Sequence, residues 1–389
     1  MTRPLLNRRL DGLGNSVFGV MSARAVATNS VNLGQGFPDV DGPPAIARAA
    51  AEAVLAGRGN QYPPATGIPE LRHAVARHQQ RYYGLEYDPD TEVLITAGAT
   101  EAIAAAILAL IEPGDEVIAF EPYYDSYVAN IAMAGGVRVP LTLKAPDFRP
   151  DLARLESLIT GKTRLLMLNS PHNPTGMVLS RGETEAIARI AVSHDLLVIA
   201  DEAYEHLTFD SEHIPLATID GMRGRLVSVG SAGKTFSFTG WKVGWATATP
   251  DLINAVRTTK QFLTYVSSGP FQYAVARALD DLPGSYYTEM AADLKARRDL
   301  MAEGLRETGF AVYEPDGTYF ITADIAPLGE RDAMEFCRGL PDRVGVVAIP
   351  SAVFYDDHPE EGRTLVRFAF CKRPEVLKEA LGRLSGLAR

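Results

Sequence analysis

The chain has 389 residues, 46% of them hydrophobic and 22% charged, the balance of an ordinary globular protein large enough for two domains. A formal net charge of −10 argues against a nucleic-acid or anionic-membrane surface, because both need basic patches to neutralise phosphates. Two cysteines, Cys337 and Cys371, offer neither a disulfide framework nor a thiolate metal centre.

In chain order, the N-terminal MTRPLLNRRLDG lacks the apolar core of a secretory signal. The longest apolar run, at 102–111, is too short to span a bilayer, so a cytoplasmic setting without membrane contact is expected. The first 45 residues mix polar, Gly and Pro positions and read as an extended arm. Helices are expected over 45–56 and 70–83, closed by Gly57 and Gly84. From residue 92 short apolar runs alternate with helices: strands at 92–96, 116–120, 137–143, 164–168, 196–200, 225–229 and 243–247, and helices at 99–111, 125–134, 152–159 and 183–193. Such alternation predicts a mostly parallel sheet covered on both faces. After Pro250 the pattern turns helical over 252–264, 272–279 and 286–308. Strand and helix signals at 318–325, 333–338, 344–349, 365–370 and 374–384 then predict a smaller α+β domain.

In open α/β sheets, ligands gather beyond the carboxyl ends of the strands. Five expected strands end in chemically distinctive clusters: Gly98-Ala99-Thr100, Pro122-Tyr123-Tyr124, the segment from Asn169 to Gly176, the segment from Asp201 to Tyr204, and the segment from Ser231 to Lys234. If these strands run parallel, all five clusters share one edge. Ala99 and Thr100 open a helix whose free N–H groups favour an anion. Tyr124 is placed to lie against a planar ligand, and Asn173 to donate its amide. Asp201 ends a buried strand, where a carboxylate needs a partner such as a protonated heteroaromatic nitrogen or an arginine. Taken singly, each cluster is as readily a turn, a cap or core packing.

Ser231-Ala232-Gly233-Lys234-Thr235 nearly spells a nucleotide-binding loop, but Ser228 stands where the first Gly is required, and no helical period follows the lysine. A dinucleotide fingerprint fails at Gly12-Leu13-Gly14, and G-x-S-x-G is absent. The seven histidines show no paired metal-ligand spacing, so no metal is expected. What remains is a lysine able to form an imine, with Ser231 and Lys242 suited to a phosphate. The whole set comprises the parts that pyridoxal phosphate requires of its protein.

With these motifs in hand, the chain resembles the fold-type I, class I/II pyridoxal-phosphate aminotransferases. The likeness runs through NLGQGFPD, NQYPPATGIPELR, TAGATEAI, EPYYDSY, NSPHNPTG, DEAYEH, SAGKTFSFTGWKVGW, GTYF and VRFAF, in the family's order. It implies a large cofactor domain over 47–280 with a seven-stranded sheet between helices, a small domain over 281–389, and an N-terminal segment, 1–46, that joins the small domain. It implies that Lys234 is the covalent cofactor anchor and proton carrier, that Asp201 holds the ring nitrogen, and that Asn173 and Tyr204 meet the ring hydroxyl. Tyr124 would stack on the ring, and Ala99, Thr100, Ser231 and Lys242 would hold the phosphate. Tyr62 would reach in from a second copy in a homodimer. Arg367, Asn173 and Gly36 would receive the substrate. Lys242 is a departure, since much of the family carries Arg there, and kynurenine-type members resemble this chain in carrying Lys.

The implied activity is transfer of an amino group between an amino acid and a 2-oxo acid, with glutamate and 2-oxoglutarate as one pair. Within the family the pattern is most similar to bacterial N-succinyldiaminopimelate aminotransferases of lysine biosynthesis. Kynurenine-, glutamine- and methionine-type aminotransferases, and a cysteine-conjugate β-lyase on the same fold, are the alternatives. The discriminating residues are expected around Phe18, Phe354 and residues 265–268.

Overall fold

A computed structural model describes residues 5–11, 13 and 17–388. Seven strands form the central sheet: β1 (Val93–Thr96), β2 (Glu116–Glu121), β3 (Val137–Thr142), β4 (Thr163–Asn169), β5 (Leu197–Asp201), β6 (Leu226–Ser231) and β7 (Gly244–Thr247). Their order is β1-β7-β6-β5-β4-β2-β3. Every pairing is parallel except those of β7, which runs antiparallel to both β1 and β6. Two reversals cancel, so β1 points the same way as β6.

The strands are apolar throughout because both faces are covered, and successive side chains point to opposite faces. Val117 and Ala119 pack with helices Gly98–Leu110, Ser126–Ala134 and Pro250–Lys260. Ile118 and Phe120 face the other way, onto helix Arg181–Ser193. Helices Pro44–Leu55, Pro69–Tyr83 and Gly269–Asp281 close a further core around the buried Trp245.

A second, antiparallel sheet is formed by β8 (Ala311–Tyr313), β9 (Phe320–Asp324), β10 (Ile349–Pro350) and β11 (Leu365–Ala369), in the order β10-β11-β9-β8. It shares a core with helices Gly284–Glu307, Ala333–Val344 and Pro374–Leu384.

The N-terminal segment is not simply extended. Val17–Thr28 is a helix, and Val31–Asn32 pairs in parallel with Val346–Val347. That helix buries only Met21 and Ala25, so its sequence carries almost no apolar stripe and packing rather than periodicity holds it. The helix expected to stop at Arg338 continues to Val344 through Gly339 and Pro341, because Leu340 is fully buried in the core. A four-residue helix, Ala232–Thr235, carries Lys234, where no helix was expected. The short strand β8 was likewise not expected.

Candidate active site

The five distinctive clusters meet at one edge of the central sheet. Asn169 pairs with Asp201, Asp201 with Val229, Ser231 with Gly244, and Gly244 with Thr96, so the strand ends lie level with one another. Beyond them is a cavity of about 140 Å³. Its wall includes Ala99, Thr100, Tyr124, Asn173, Asp201, Tyr204, Ser231, Lys234 and Lys242. Parallel strands accomplish this, since residues far apart in sequence leave the sheet at the same level.

Asp201 is buried, and both of its oxygens are held. The Tyr127 hydroxyl donates to Oδ2 at 2.5 Å, and the Ala203 N–H donates to Oδ1 at 3.1 Å. Burial pushes this carboxyl up, while Tyr127, Ala203 and the Lys234 charge pull it back toward the ionised form. The strand end is braced by Asn169, whose amide donates to the Asp201 carbonyl at 2.8 Å and whose Oδ1 accepts the Asn173 N–H at 2.7 Å.

Lys234 is partly buried, and its Nζ lies 5.8 Å from the centre of the Tyr204 ring. Burial pushes its ammonium below the usual range; Lys242 and Arg367 add to that shift, while Cys371 and Asp201 oppose it. A lysine so placed carries more neutral amine near neutral pH than a surface lysine, as a nucleophile or base requires.

Lys242 takes a left-handed conformation, φ 52°, and its Nζ donates to Thr100 Oγ1 at 3.3 Å. Gly98 opens helix Gly98–Leu110 with φ 74°, a conformation that favours glycine, and a Cβ there would lie 3.3 Å from Lys242 Nζ. A helix start, a hydroxyl and an ammonium thus border one small space, a combination suited to a phosphate.

Arg367, on β11, is 1% exposed. Its Nη1 donates to Asn173 Oδ1 at 3.0 Å and its Nη2 to the Gly34 carbonyl at 3.1 Å, while Nε has no partner among the described residues. The guanidinium sits 4.0 Å from the Phe320 ring centre, 4.8 Å from Phe354 and 5.1 Å from Phe18. Burial lowers its pKa to about 10. A buried cation with an idle N–H is well matched to a carboxylate. Gly36 packs where a Cβ would fall 2.4 Å from the Phe320 ring, and its carbonyl accepts the Tyr319 hydroxyl at 2.6 Å.

Similarity to known proteins agrees with this geometry. The sequence pattern of the family Aminotransferase class I and II matches residues 28–384. The chain is 52% identical to the probable N-succinyldiaminopimelate aminotransferase DapC of Mycobacterium tuberculosis, over 98% of both chains. It is 39% identical to the methionine aminotransferase of Escherichia coli, over 97% of both. The solved structure of N-succinyldiaminopimelate aminotransferase from Mycobacterium tuberculosis superimposes with a TM-score of 0.95 at 52% identity, covering 98% of this chain and all of that one. The chain belongs to the class I and II aminotransferases.

As a member of that family it is a pyridoxal-phosphate-dependent transaminase. The residues present fit the cofactor: a buried carboxylate, a partly desolvated lysine and an anion-ready helix start enclose one cavity. Three of the expected residues lie outside that wall, and Arg367 reaches it through its hydrogen bond to Asn173. Tyr62 is 82% exposed, its ring 5.7 Å from Tyr265, so it takes no part in its own chain's cavity. Gly36 reaches the site only through Tyr319 and Phe320. Of the segment expected to discriminate substrates, Tyr265 is half exposed beside Tyr62, whereas Phe18 and Phe354 line a second cavity.

Tyr127, Asn169 and Tyr319 went unassigned in the sequence, although all three lie in or beside its motifs. Their roles are second contacts, to Asp201, Asn173 and Gly36, and residue type alone carries no sign of such contacts. His172 is another residue of this kind. It is 1% exposed, its Nδ1 lies 2.7 Å from Thr175 Oγ1, and burial lowers its pKa to about 3. Its folded pKa lies below the unfolded value, so the stability it contributes is complete above about pH 6.5 and is lost as pH falls toward 3. Thermal melts of His172→Gln will therefore show a shallower acid decline than the parent, by up to about 1.4 kcal/mol per pH unit across that window.

Proposed function

We propose that this chain exchanges the amino group between N-succinyldiaminopimelate and 2-oxoglutarate, a step of lysine biosynthesis. The observation that carries the reading is 52% identity along essentially the whole chain to a protein of that name, with the cavity chemistry intact.

Pyridoxal phosphate, when bound, supplies the electron sink that makes the α-carbon acidic and carries the amino group between half-reactions. In this reading Lys234 anchors it and, once released, moves the proton at the α-carbon. Asp201 holds the proton on the ring nitrogen, and Tyr127 and Ala203 keep that carboxylate aimed. Asn173 and Tyr204 would hold the ring hydroxyl, and Tyr124 would pack on the ring. Ala99, Thr100, Ser231 and Lys242 hold the phosphate. Arg367 and Asn173 orient the substrate α-carboxylate beneath Gly36.

The second cavity, about 570 Å³, adjoins Arg367 through Phe18 and Phe354. Arg24 and Arg338 lie on its otherwise largely apolar wall. N-succinyldiaminopimelate carries two carboxylates at its far end, and Arg338 together with Arg24, which also pairs with Asp342, supplies the cations on that wall. Asp356 shares the wall but is already engaged by Tyr123 and Arg138. The test is a half-reaction screen that follows cofactor absorbance with N-succinyldiaminopimelate, methionine, kynurenine and glutamate as donors. The succinylated donor and glutamate should react fastest. If methionine or kynurenine clearly outpaces the succinylated donor, the substrate reading fails. In Arg24→Gln/Arg338→Gln, kcat/KM for the succinylated donor should fall about tenfold or more while that for methionine holds, since two exposed charge contacts are removed.

The same reading makes the enzyme a cytoplasmic homodimer in which Tyr62 enters the neighbouring copy's site. Support comes from the exposure of Tyr62 together with Phe262, Leu263 and Tyr265, a larger apolar group than a solitary chain commonly leaves in water. The two cysteines are buried and free.

A further inference from the structure

On the side of the 201–207 turn away from the cofactor cavity, three ligand-type side chains converge. His78 comes from helix Pro69–Tyr83, and Glu205 and His206 directly follow Tyr204. His78 Nε2 lies 2.9 Å from His206 Nε2 and 3.8 Å from Glu205 Oε1, and one ligand atom from each residue falls within 4.8 Å of the others. His78 is 1% exposed and Glu205 is 5% exposed.

The charges here do not balance. Among the described residues, neither Glu205 nor the neighbouring buried Glu202 has a lysine or arginine within ion-pair distance; each has only a histidine, His78 at 3.8 Å and His213 at 3.9 Å. Among the described residues several polar atoms have no hydrogen-bond partner: His78 Nδ1, both nitrogens of His213, and the hydroxyls of Tyr82 and Tyr287. His213 is 6% exposed. Glu205 accepts the Gln79 amide at 3.4 Å and Glu202 the Leu216 N–H at 3.2 Å, but two buried carboxylates with no Lys or Arg in reach form a setting suited to a cation.

We propose that His78, Glu205 and His206 bind a zinc-class divalent cation. Two neutral imidazoles and one carboxylate are a recurrent zinc donor set that leaves a fourth position open. Bonds of about 2.0–2.1 Å in a tetrahedron place ligand atoms about 3.4 Å apart, and the present 2.9 and 3.8 Å bracket that value. Glu205 and His206 also line a cavity of about 460 Å³ together with His213 and Tyr287. Binding exchanges the His78–His206 hydrogen bond for two bonds to the ion. The groups facing the site are Arg81, Glu202, His213, Tyr82, Tyr83 and Tyr287.

The test titrates chelator-treated holoenzyme with cobalt, whose four-coordinate visible bands lie apart from the cofactor's absorbance, and with zinc by calorimetry. One ion per chain is expected, with Glu205→Gln and His206→Asn each weakening binding by about tenfold or more. Lys234→Ala should bind cobalt as the parent does, which separates this site from the cofactor's own chemistry. Absence of stoichiometric cobalt or zinc binding in the parent would overturn the proposal, and so would undiminished binding in the near-isosteric Glu205→Gln. The parent titration decides the matter even if a variant fails to fold.

Discussion

Replacing Lys234 by alanine is expected to lower transamination turnover by about 10⁴-fold or more, the range seen when a positioned acid–base group and its covalent role are both removed. The cavity wall explains the size of the effect. Apart from Lys234 its one amine is Lys242, which is engaged with Thr100 at the phosphate end. Lys234→Arg should fare no better, because a guanidinium stays protonated and cannot take up the α-proton. Single-turnover experiments with an excess of amino donor, followed by cofactor absorbance, measure this directly. A Lys234→Arg enzyme within tenfold of the parent would contradict the assigned role.

Asp201→Asn is expected to lower kcat by about 10²- to 10³-fold, with a much smaller change in KM, since removing one member of a buried charge pair costs about 3–5 kcal/mol. The substitution preserves shape and the contact to the Ala203 N–H, so the loss reports charge rather than packing. Tyr127→Phe makes a graded comparison. It removes one hydrogen bond to Asp201 and leaves the carboxylate in place, which predicts a loss of about tenfold. The two variants should therefore rank in that order, and equal losses would show that Tyr127 acts on the reaction more directly than through Asp201.

The site residues legible from strand position alone share one property: each lies just beyond an apolar strand, whereas Arg367, Gly36 and Tyr62 come only from the family likeness. Asp201 after LLVIA, Asn173 within NSPHNPTG and Lys234 after LVSVGS all follow a buried run, and the strand-end rule turns that position into a site. Residues that support the site from helices carry no such mark. Tyr127 reads as one more aromatic in a helix, and His78 stands 128 positions from the histidine it touches. Metal spacing rules apply to ligands on one local element, so a cluster assembled between a helix and a distant turn escapes them.

Secondary structure divides along the same line. Helix Pro69–Tyr83, with its left-handed Gly84 cap, and helix Pro374–Leu384 announce themselves by apolar period and end signals. Helix Val17–Thr28 does not, because its two buried residues acquire meaning only against the C-terminal core. The helix carrying Lys234 is four residues long, too short for any period to register.

By itself, the sequence determined the alternation of elements, the two-sided burial of the sheet, the family and nearly all of the cavity's chemical groups, since these depend on residue type and local order. Tertiary structure alone decided that β7 runs antiparallel, which brings Thr96 level with Ser231 across Gly244 and sets Thr100 beside Lys242. It also decided that Tyr62 stands away from its own cavity, that Arg367 rests among three phenylalanines, and that His78 meets His206. The physical reason is common to all of these. Local propensity acts over a few residues, whereas register, burial and charge compensation are set by partners that only the folded chain brings together.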